Sequence, residues 1–330
     1  MNPVCRIYAL SAHAPHKILT NEYMAGIADT NNEWIVSRTG IRERRKLEKT
    51  QNTSDLALIA ARETLQKTGM EADALTHVIT ATCTPDMLSP SVACILAGHL
   101  NAGQVMAFDI SAACSGFLYG LSLCRSILAH EVDARILFVC AEALTRRVNW
   151  NDRSTCVLFG DAASACVLTG ESADAHDSSV LEDVICKSDG ALSDLITVGG
   201  GTACNYRLGD QVDERFFLAM LGRDTYRHAV RQMALVCEEI LQRNALTVEN
   251  VNLFVPHQAN LRIIEAVGSR LHINGDRVFT NVDKYGNTSA ASIPLALSEA
   301  FAAGRVRQGD RVLLAAFGAG LTWSAALLRY

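Results

Sequence analysis

The stretch Ile110-Ser111-Ala112-Ala113-Cys114-Ser115-Gly116-Phe117 joins an apolar run to a helical pattern, with a cysteine at the junction. Amides at the start of a helix and the positive end of its dipole favour thiolate over thiol, so this cysteine is a candidate nucleophile. The small residues around it leave room for a substrate. The other cysteines lack this setting, and most lie in apolar runs such as Leu137-Phe138-Val139-Cys140.

The composition is that of an ordinary globular protein. The 330 residues, 49% apolar and 20% charged, suffice for one large α/β unit or two packed halves. A net charge of −5 argues against a nucleic-acid partner, and no apolar run is long enough to span a membrane. Eleven scattered cysteines without a C-x-x-C pair make a metal site improbable, and the absence of a signal-peptide pattern indicates a reducing cytoplasm.

A faint internal repeat indicates two halves of like topology. Three segments have counterparts about 175 positions later: 76–81 with 251–255, 109–114 with 287–292, and 135–139 with 311–315. Their shared order predicts an N-terminal half over 1–174 that carries the cysteine, and a C-terminal half over 175–330.

Helical patterns lie between the predicted strands, at Thr53 to Lys67, Phe117 to Leu128 and Arg223 to Asn244. Strands that alternate with helices predict a largely parallel sheet with helices on both faces. The segment from Ala191 to Arg215 has glycines and mixed polarity, so we expect a surface excursion there.

Three segments point to one chemistry. Besides Cys114, a histidine, His257, directly follows a buried strand, and Asn287 lies in a glycine-containing loop that opens a helix. A thiolate can take an acyl group from a thioester. An imidazole N–H and a carboxamide can then stabilise the negative charge that develops as a malonyl-type thioester loses carbon dioxide. Each residue alone has a structural explanation, and only their joint occurrence favours catalysis.

With these segments the chain resembles β-ketoacyl-acyl carrier protein synthase III, of the thiolase superfamily. The resemblance implies an α/β protein with a five-layer αβαβα thiolase-like fold built from two similar halves, and a homodimer with its active site at the base of a tunnel. The segments that carry it, in family order, are Asn32–Arg44, the run around Cys114, Asp152-Arg153, Phe159–Asp161, Pro256–Arg262, Gly286–Ser292 and Ala316–Gly320.

The same resemblance implies catalytic roles. Cys114 would be the acylated nucleophile, and His257 and Asn287 would promote decarboxylation and condensation. The backbone N–H groups of Cys114 and Ala319 would form the oxyanion hole, although the family usually has glycine at the latter position. The related elongating synthases have a Cys-His-His set of catalytic residues, whereas the initiating branch has Cys-His-Asn. Asn287 therefore indicates chain initiation from an acyl-coenzyme A primer.

Substrate contacts also follow from the resemblance. Coenzyme A and its pantetheine arm would contact Trp34, Arg38, Arg153, Gly222 and Asn260. The acyl pocket would include Ser89, Leu144 and Phe317. The acidic acyl carrier protein would contact Arg227 and Arg262.

Ser89 departs from the pattern of many family members. The family residue at this position reaches across the dimer to close the acyl pocket, and a large aromatic there restricts the enzyme to short primers. Serine therefore predicts a roomier pocket, for medium-length or branched acyl groups.

We therefore expect a cytoplasmic, homodimeric condensing enzyme that initiates fatty acid synthesis. It would convert an acyl-coenzyme A primer and malonyl-acyl carrier protein to 3-oxoacyl-carrier protein, coenzyme A and carbon dioxide, with no metal or other cofactor and no membrane partner. Two alternatives stay open. One is a relative in secondary metabolism that delivers the acyl group to another nucleophile or malonyl derivative. The other is a non-catalytic protein that binds acyl-coenzyme A or a carrier. The sequence leaves the physiological primer undetermined.

Overall fold

The computed structural model describes residues 4–170, 178–204, 206 and 209–330. The strands are β1 (Arg6–His13), β2 (Lys17–Thr20), β3 (Glu43–Lys46), β4 (His77–Ala81), β5 (Met106–Ile110), β6 (Arg135–Ala143), β7 (Asp161–Thr169), β8 (Ser179–Ser188), β9 (Ile196–Val198), β10 (Leu218–Met220), β11 (Leu253–Pro256), β12 (Arg311–Gly318) and β13 (Thr322–Arg329). The α-helices are α1 (Asn21–Ala25), α2 (Asn32–Thr39), α3 (Thr53–Thr68), α4 (Val92–Leu100), α5 (Gly116–His130), α6 (Gly222–Arg243), α7 (Leu261–Arg270), α8 (Val282–Tyr285) and α9 (Ser292–Ala302).

Five layers follow from the way these elements pack. Nine strands are hydrogen-bonded in the order β11-β12-β13-β8-β1-β7-β6-β4-β5. The two parts of this sheet meet where β1 pairs with β8, over only Arg6 with Val180 and Ile7 with Ser179. Helices α5 and α9 lie between the two parts, in one apolar core. Helices α3 and α4 cover one outer face, and α6 and α7 cover the other. The expected five-layer arrangement is confirmed.

Strand β6 shows why the central strands are apolar throughout. Alternate residues point to opposite faces of a strand, and here both faces are buried. The central core receives Ile136, Phe138 and Cys140. The outer core, beneath α3 and α4, receives Leu137, Val139 and Ala141.

The prediction of a largely parallel sheet is wrong. Within the described strands, β4 runs parallel to β5 and β6, and β11 runs parallel to β12. The other five pairs of the nine-stranded sheet are antiparallel. Parallel neighbours need a long crossover connection. Residues 319–321 join β12 directly to β13, and the 144–160 connection from β6 to β7 holds no α-helix, so these neighbours run antiparallel.

The segments identified as internal repeats occupy equivalent places. The parallel pair β4–β6 corresponds to the pair β11–β12. Ala113, before α5, and Ser289, before α9, both adopt left-handed backbone angles, with φ of 44° and 50°. Such angles are strained for residues other than glycine, so the same sharp turn is built twice. The division between residues 174 and 175 lies outside the described residues and stays a prediction.

The three predicted long helices are present as α3, α5 and α6, and every end agrees with the prediction to within two residues. Asn52 caps α3, and its backbone N–H donates to the carboxylate of Asp55. No helix in the described part of the chain combines the length and apolar character needed to cross a bilayer.

Gly120 sets how closely α5 approaches β6. A Cβ atom on Gly120 would lie 1.9 Å from the Phe138 ring. This ring is buried and stacks on Phe117 with centroids 5.9 Å apart, so it has little room to move. We expect Gly120→Ala to lower the free energy of unfolding by about 1–3 kcal/mol in urea denaturation, as overpacked cores do.

Gly98 provides the matched control for this prediction. It lies in α4, is exposed, and has no atom within 4 Å of a Cβ placed on it. Alanine favours helix over glycine by about 1 kcal/mol, so Gly98→Ala should leave the protein equally or more stable. Two variants of equal stability would contradict the proposed contact with Phe138.

Candidate active site

A cavity of about 660 Å³ brings Cys114, His257 and Asn287 together. The cysteine follows β5 and the histidine follows β11, while Asn287 follows the short helix α8. The cavity also contains Leu144 and Phe317 in its wall. The structure thus gathers the three predicted catalytic residues and two of the three acyl-pocket residues, whose roles stay predictions.

The Cys114 backbone is pressed against the end of β12. A Cβ on Gly318 would lie 2.7 Å from the backbone nitrogen of Cys114. Only glycine permits this approach. Ala319 follows directly and lines the same cavity. The two backbone groups predicted to form an oxyanion hole therefore lie on neighbouring stretches of chain.

The helix start is expected to favour a thiolate at Cys114, but burial of the thiol has the larger effect on its pKa. Cys114 lies in a short 3₁₀ turn, Ala113–Ser115, just before α5. Burial raises the pKa of the Cys114 thiol to about 12, a net value that includes a lowering by the Ser289 hydroxyl and a smaller increase from Glu142. Desolvation disfavours a thiolate more than the helix start favours it. The sulfur of the free enzyme is therefore a thiol at neutral pH.

His257 is neutral, and hydrogen bonds hold both its backbone and its imidazole ring. Burial lowers its pKa to about 3. Its backbone N–H donates to the Ala315 carbonyl at 2.8 Å, and its Nδ1 lies 2.6 Å from Oγ of Ser292. Because Nδ1 already has a partner, Nε2 remains for the cavity. A neutral imidazole here can act as a hydrogen-bond donor without carrying charge.

Asn287 is held by the chain on both sides. Its backbone N–H donates to the Leu158 carbonyl at 2.8 Å, and its carbonyl accepts from the Gly160 N–H at 3.0 Å. Its Oδ1 accepts from the Ser289 N–H at 2.8 Å. With the amide oxygen occupied, the NH₂ group is the end left to donate to a ligand.

Sequence reasoning missed a polar group behind the cysteine. Glu142 is completely buried, and its carboxylate accepts from the Thr84 hydroxyl at 2.7 Å and the Cys83 N–H at 3.2 Å. Burial raises the pKa of Glu142. The Cys83 thiol lies 3.3 Å from the same carboxylate and also lines the cavity. A glutamate in the apolar run of β6 was the available signal.

A second cavity of about 710 Å³ adjoins the first. The two share Cys83, Ala113 and Ala319 in their walls. The loop that carries Met87 and Leu88 forms another wall of the second cavity. Ser89 is exposed on this loop and is not part of either lining within its own chain.

Trp34 lies on α2 and lines the first cavity, and two guanidinium groups are close to its ring. The central carbons of Arg38 and Arg153 lie 5.2 and 5.3 Å from the centre of its ring. Arg153 also donates to the backbone oxygen of Asp29 at 2.8 Å. A flat ring between the indole and Arg153 would need a separation of roughly 7 Å, two van der Waals layers. Arg153 must therefore shift before an adenine can lie between them.

The remaining predicted contacts also lie along this cavity. Gly222 begins α6, and a Cβ there would meet no atom within 4 Å. Asn260 caps α7 through the Arg262 N–H and donates to the Arg38 carbonyl at 3.2 Å, so it also has a structural task. Arg227 and Arg262 both line the cavity, and Arg227 has Asp224 as a nearby partner at 3.3 Å.

The segment from Ala191 to Arg215 is not only a surface excursion, because Ile196 and Val198 of β9 line both cavities. Among the described residues, no group of three or more histidine, cysteine, aspartate or glutamate side chains is arranged to hold a metal ion. The expectation that no metal or cofactor is needed stays a prediction.

Comparison with known proteins identifies the family. Residues 108–190 match the family model described as 3-oxoacyl-[acyl-carrier-protein (ACP)] synthase III, and residues 241–330 match the model of its C-terminal part. The β-ketoacyl-[acyl-carrier-protein] synthase III of Nitratidesulfovibrio vulgaris (strain DSM 19637 / Miyazaki F) is 53% identical over 326 residues, covering 99% of this chain and 98% of the relative.

Solved structures of similar proteins support the same family. The crystal structure of 3-oxoacyl-[acyl-carrier-protein] synthase III from Aquifex aeolicus VF5 has a TM-score of 0.90 and 41% identity, covering 99% of this chain and 100% of that one. The priming β-ketosynthase of the R1128 polyketide biosynthetic pathway has a TM-score of 0.88 and 30% identity, covering 99% and 96%. The chain belongs to the β-ketoacyl-[acyl-carrier-protein] synthase III family of acyl-transferring condensing enzymes.

Proposed function

We propose that the chain initiates fatty acid synthesis by condensing an acyl-coenzyme A primer with malonyl-acyl carrier protein. In the first step, Sγ of Cys114 attacks the thioester carbon, and the backbone N–H groups of Cys114 and Ala319 stabilise the oxyanion. The bond to coenzyme A then breaks. Because burial keeps the cysteine protonated, its proton leaves as the sulfur attacks, and the departing coenzyme A sulfur finally accepts it.

In the second step, malonyl-acyl carrier protein replaces coenzyme A. The bond between its α-carbon and its carboxylate breaks, carbon dioxide leaves, and negative charge moves to the thioester oxygen. Nε2–H of His257 and the amide of Asn287 donate to that oxygen. The α-carbon attacks the acyl-cysteine, the bond to the sulfur breaks, and 3-oxoacyl-carrier protein leaves as the Cys114 thiolate takes up a proton from solvent.

One observation carries this proposal. The thiol shares a buried cavity with two neutral donors, and the histidine has a pKa of about 3. A charged imidazole would attract the malonyl carboxylate and hold it, whereas a neutral one leaves the carboxylate unpaired and stabilises only the charge that forms later. Charge stabilisation of this kind fits decarboxylation better than acyl transfer to a hydroxyl or amine.

Two variants separate the half-reactions. Cys114→Ser should form no acyl adduct, because a hydroxyl lacks the nucleophilicity of a thiolate. Asn287→Asp should still form the adduct but release carbon dioxide at least about 100-fold more slowly, since a carboxylate would face the developing enolate. Intact mass spectrometry measures the first step, and carbon dioxide release from malonyl-acyl carrier protein measures the second.

These measurements also decide between the alternatives. A wild-type protein that forms the adduct without releasing carbon dioxide would support a relative that transfers the acyl group to another nucleophile. Similarity to the polyketide priming synthase keeps that alternative in view, although the identity is lower. A wild-type protein that forms no adduct with any acyl-coenzyme A would instead support a binding protein.

We also propose that the enzyme works as a homodimer in the cytoplasm. Strand β5 is at the edge of the nine-stranded sheet, and its residue Met106 is 57% exposed. Leu88, on the loop beside the second cavity, is 86% exposed. Apolar side chains beside an unpaired strand edge favour coverage by a second copy. That copy would place its Ser89 against the second cavity.

Ser89 then governs the length of the primer. We expect wild-type protein to acylate Cys114 with medium-length and branched primers about as readily as with acetyl-coenzyme A. Ser89→Phe should lower kcat/KM for the longer primers relative to acetyl at least about tenfold, because the ring fills space meant for their methylenes. A chain-length series followed by intact mass spectrometry checks this.

Ser89→Ala is the control, since it changes the loop without adding bulk. Sedimentation of the same samples verifies that each variant keeps the oligomeric state of the wild type. A wild-type protein restricted to acetyl would contradict the roomier pocket, and would indicate that Met87 or Leu88 fills the space.

We further propose that the rim of the first cavity receives both substrates. Trp34 and Arg153 would stack on adenine after Arg153 moves away from the indole, and Arg38 would approach the pyrophosphate. The pantetheine arm would pass Gly222 and Asn260. Arg227 and Arg262 at the same rim offer positive charge to an acidic carrier protein.

Reversing one rim charge tests the carrier contact. Arg262→Glu should raise the KM for malonyl-acyl carrier protein about tenfold or more, while acylation of Cys114 changes much less. Arg270→Glu is the matched control, because Arg270 is exposed at the other end of α7 and does not line the cavity. Equal loss of both half-reactions in the Arg262 variant, or equal effects at both positions, would contradict the assignment.

A further inference from the structure

A serine that contacts His257 has no role in the proposed reaction steps. Ser292 is the first residue of α9 and is completely buried. Its Oγ lies 2.6 Å from Nδ1 of His257 and accepts from the backbone N–H of Gln258 at 3.4 Å. Among the described residues, these are the hydroxyl's hydrogen-bond partners.

The hydrogen-bond pattern selects one form of the imidazole. If Nδ1 carried the proton, Oγ of Ser292 would accept two hydrogen bonds, and its own hydrogen would lack an acceptor in a buried site. If Nδ1 is unprotonated, the chain runs without a gap: the Gln258 N–H donates to Oγ, and the hydroxyl donates to Nδ1. A buried polar hydrogen without a partner costs about 1–3 kcal/mol, so the second arrangement is favoured.

The residue that starts this chain is itself fixed. The side-chain amide of Gln258 donates to the Pro256 carbonyl at 2.7 Å, and its Oε1 accepts from the Asn281 N–H at 3.0 Å. These contacts hold the backbone after β11 in place. The Gln258 N–H therefore keeps its direction toward Ser292, although the 3.4 Å distance makes this the weaker of the two links.

We infer that Ser292 is a positioning residue that keeps His257 in the tautomer with its proton on Nε2. This inference rests on the proposed function, because only the decarboxylation step needs a donor at Nε2. The opposite tautomer would turn a nitrogen lone pair toward the thioester oxygen as negative charge develops there. Acylation of Cys114 uses backbone donors and does not depend on the tautomer.

Three variants test the role of the hydroxyl. In Ser292→Ala we expect kcat for carbon dioxide release to fall at least about tenfold, with the KM for malonyl-acyl carrier protein and the acylation of Cys114 changed less than about twofold. Ser292→Thr keeps a hydroxyl and should restore most of the rate. Ser164→Ala is the matched control: Ser164 is equally buried and donates to the carbonyl of Ala291, the residue before Ser292, at 3.4 Å, but it makes no hydrogen bond to His257.

A spectroscopic measurement separates positioning from packing. In protein with ¹⁵N-labelled histidines, the His257 signals, assigned by comparison with His257→Gln, should show a single Nε2–H form in the wild type. Ser292→Ala should show both tautomers, whereas Ser164→Ala should match the wild type. Free protein suffices, so the result does not depend on activity.

The outcomes distinguish this inference from the proposed function. If wild-type protein releases no carbon dioxide, the proposed function fails, and the tautomer measurement still decides the role of Ser292. If Ser292→Ala condenses at the wild-type rate or keeps a single Nε2–H form, the inference is wrong. Equal losses of acylation and condensation in Ser292→Ala would also overturn it, because they would indicate general disruption of the site.

Discussion

The contact between Gly116, at the start of α5, and Ala290, just before α9, keeps the reaction centre together. A Cβ on Gly116 would lie 3.0 Å from that of Ala290, closer than side chains normally pack. The two central helices can therefore begin side by side, each from its own sharp turn. One turn presents the cysteine and the other presents Asn287. Gly318 makes a similar close approach from β12, which adds Ala319 to the same small space.

Burial then governs the electrostatics of this space. At these buried positions, a charged thiolate or imidazolium is disfavoured, so the cysteine stays protonated and the histidine stays neutral. The same burial strengthens hydrogen bonds to a charge that appears only during reaction. The resting site is thus uncharged at its nucleophile and at its donors, and it stabilises negative charge when a substrate brings it.

Much of this could be predicted from the sequence, because the essential residues lie in local patterns. Cys114, His257 and Asn287 each follow a strand or loop in a recognisable run. The direction of most strand pairs and the dominance of burial over the helix dipole depended on tertiary packing, which no local pattern contains. Glu142 lies in the otherwise apolar run of β6, and Ser292 ends the segment Gly286–Ser292. The hydrogen-bond partners of both residues come from distant parts of the chain, so the local sequence does not show them.

The paired left-handed turns at Ala113 and Ser289 have a consequence for how the chemistry is distributed. The same backbone turn carries a covalent nucleophile in one repeat and an amide donor in the other, so neither repeat holds a complete set of reactive groups. The reactive groups come together only where the two repeats are in contact. A fragment that contained a single repeat could keep its turn and its strain, yet it would have no partner with which to complete a turnover.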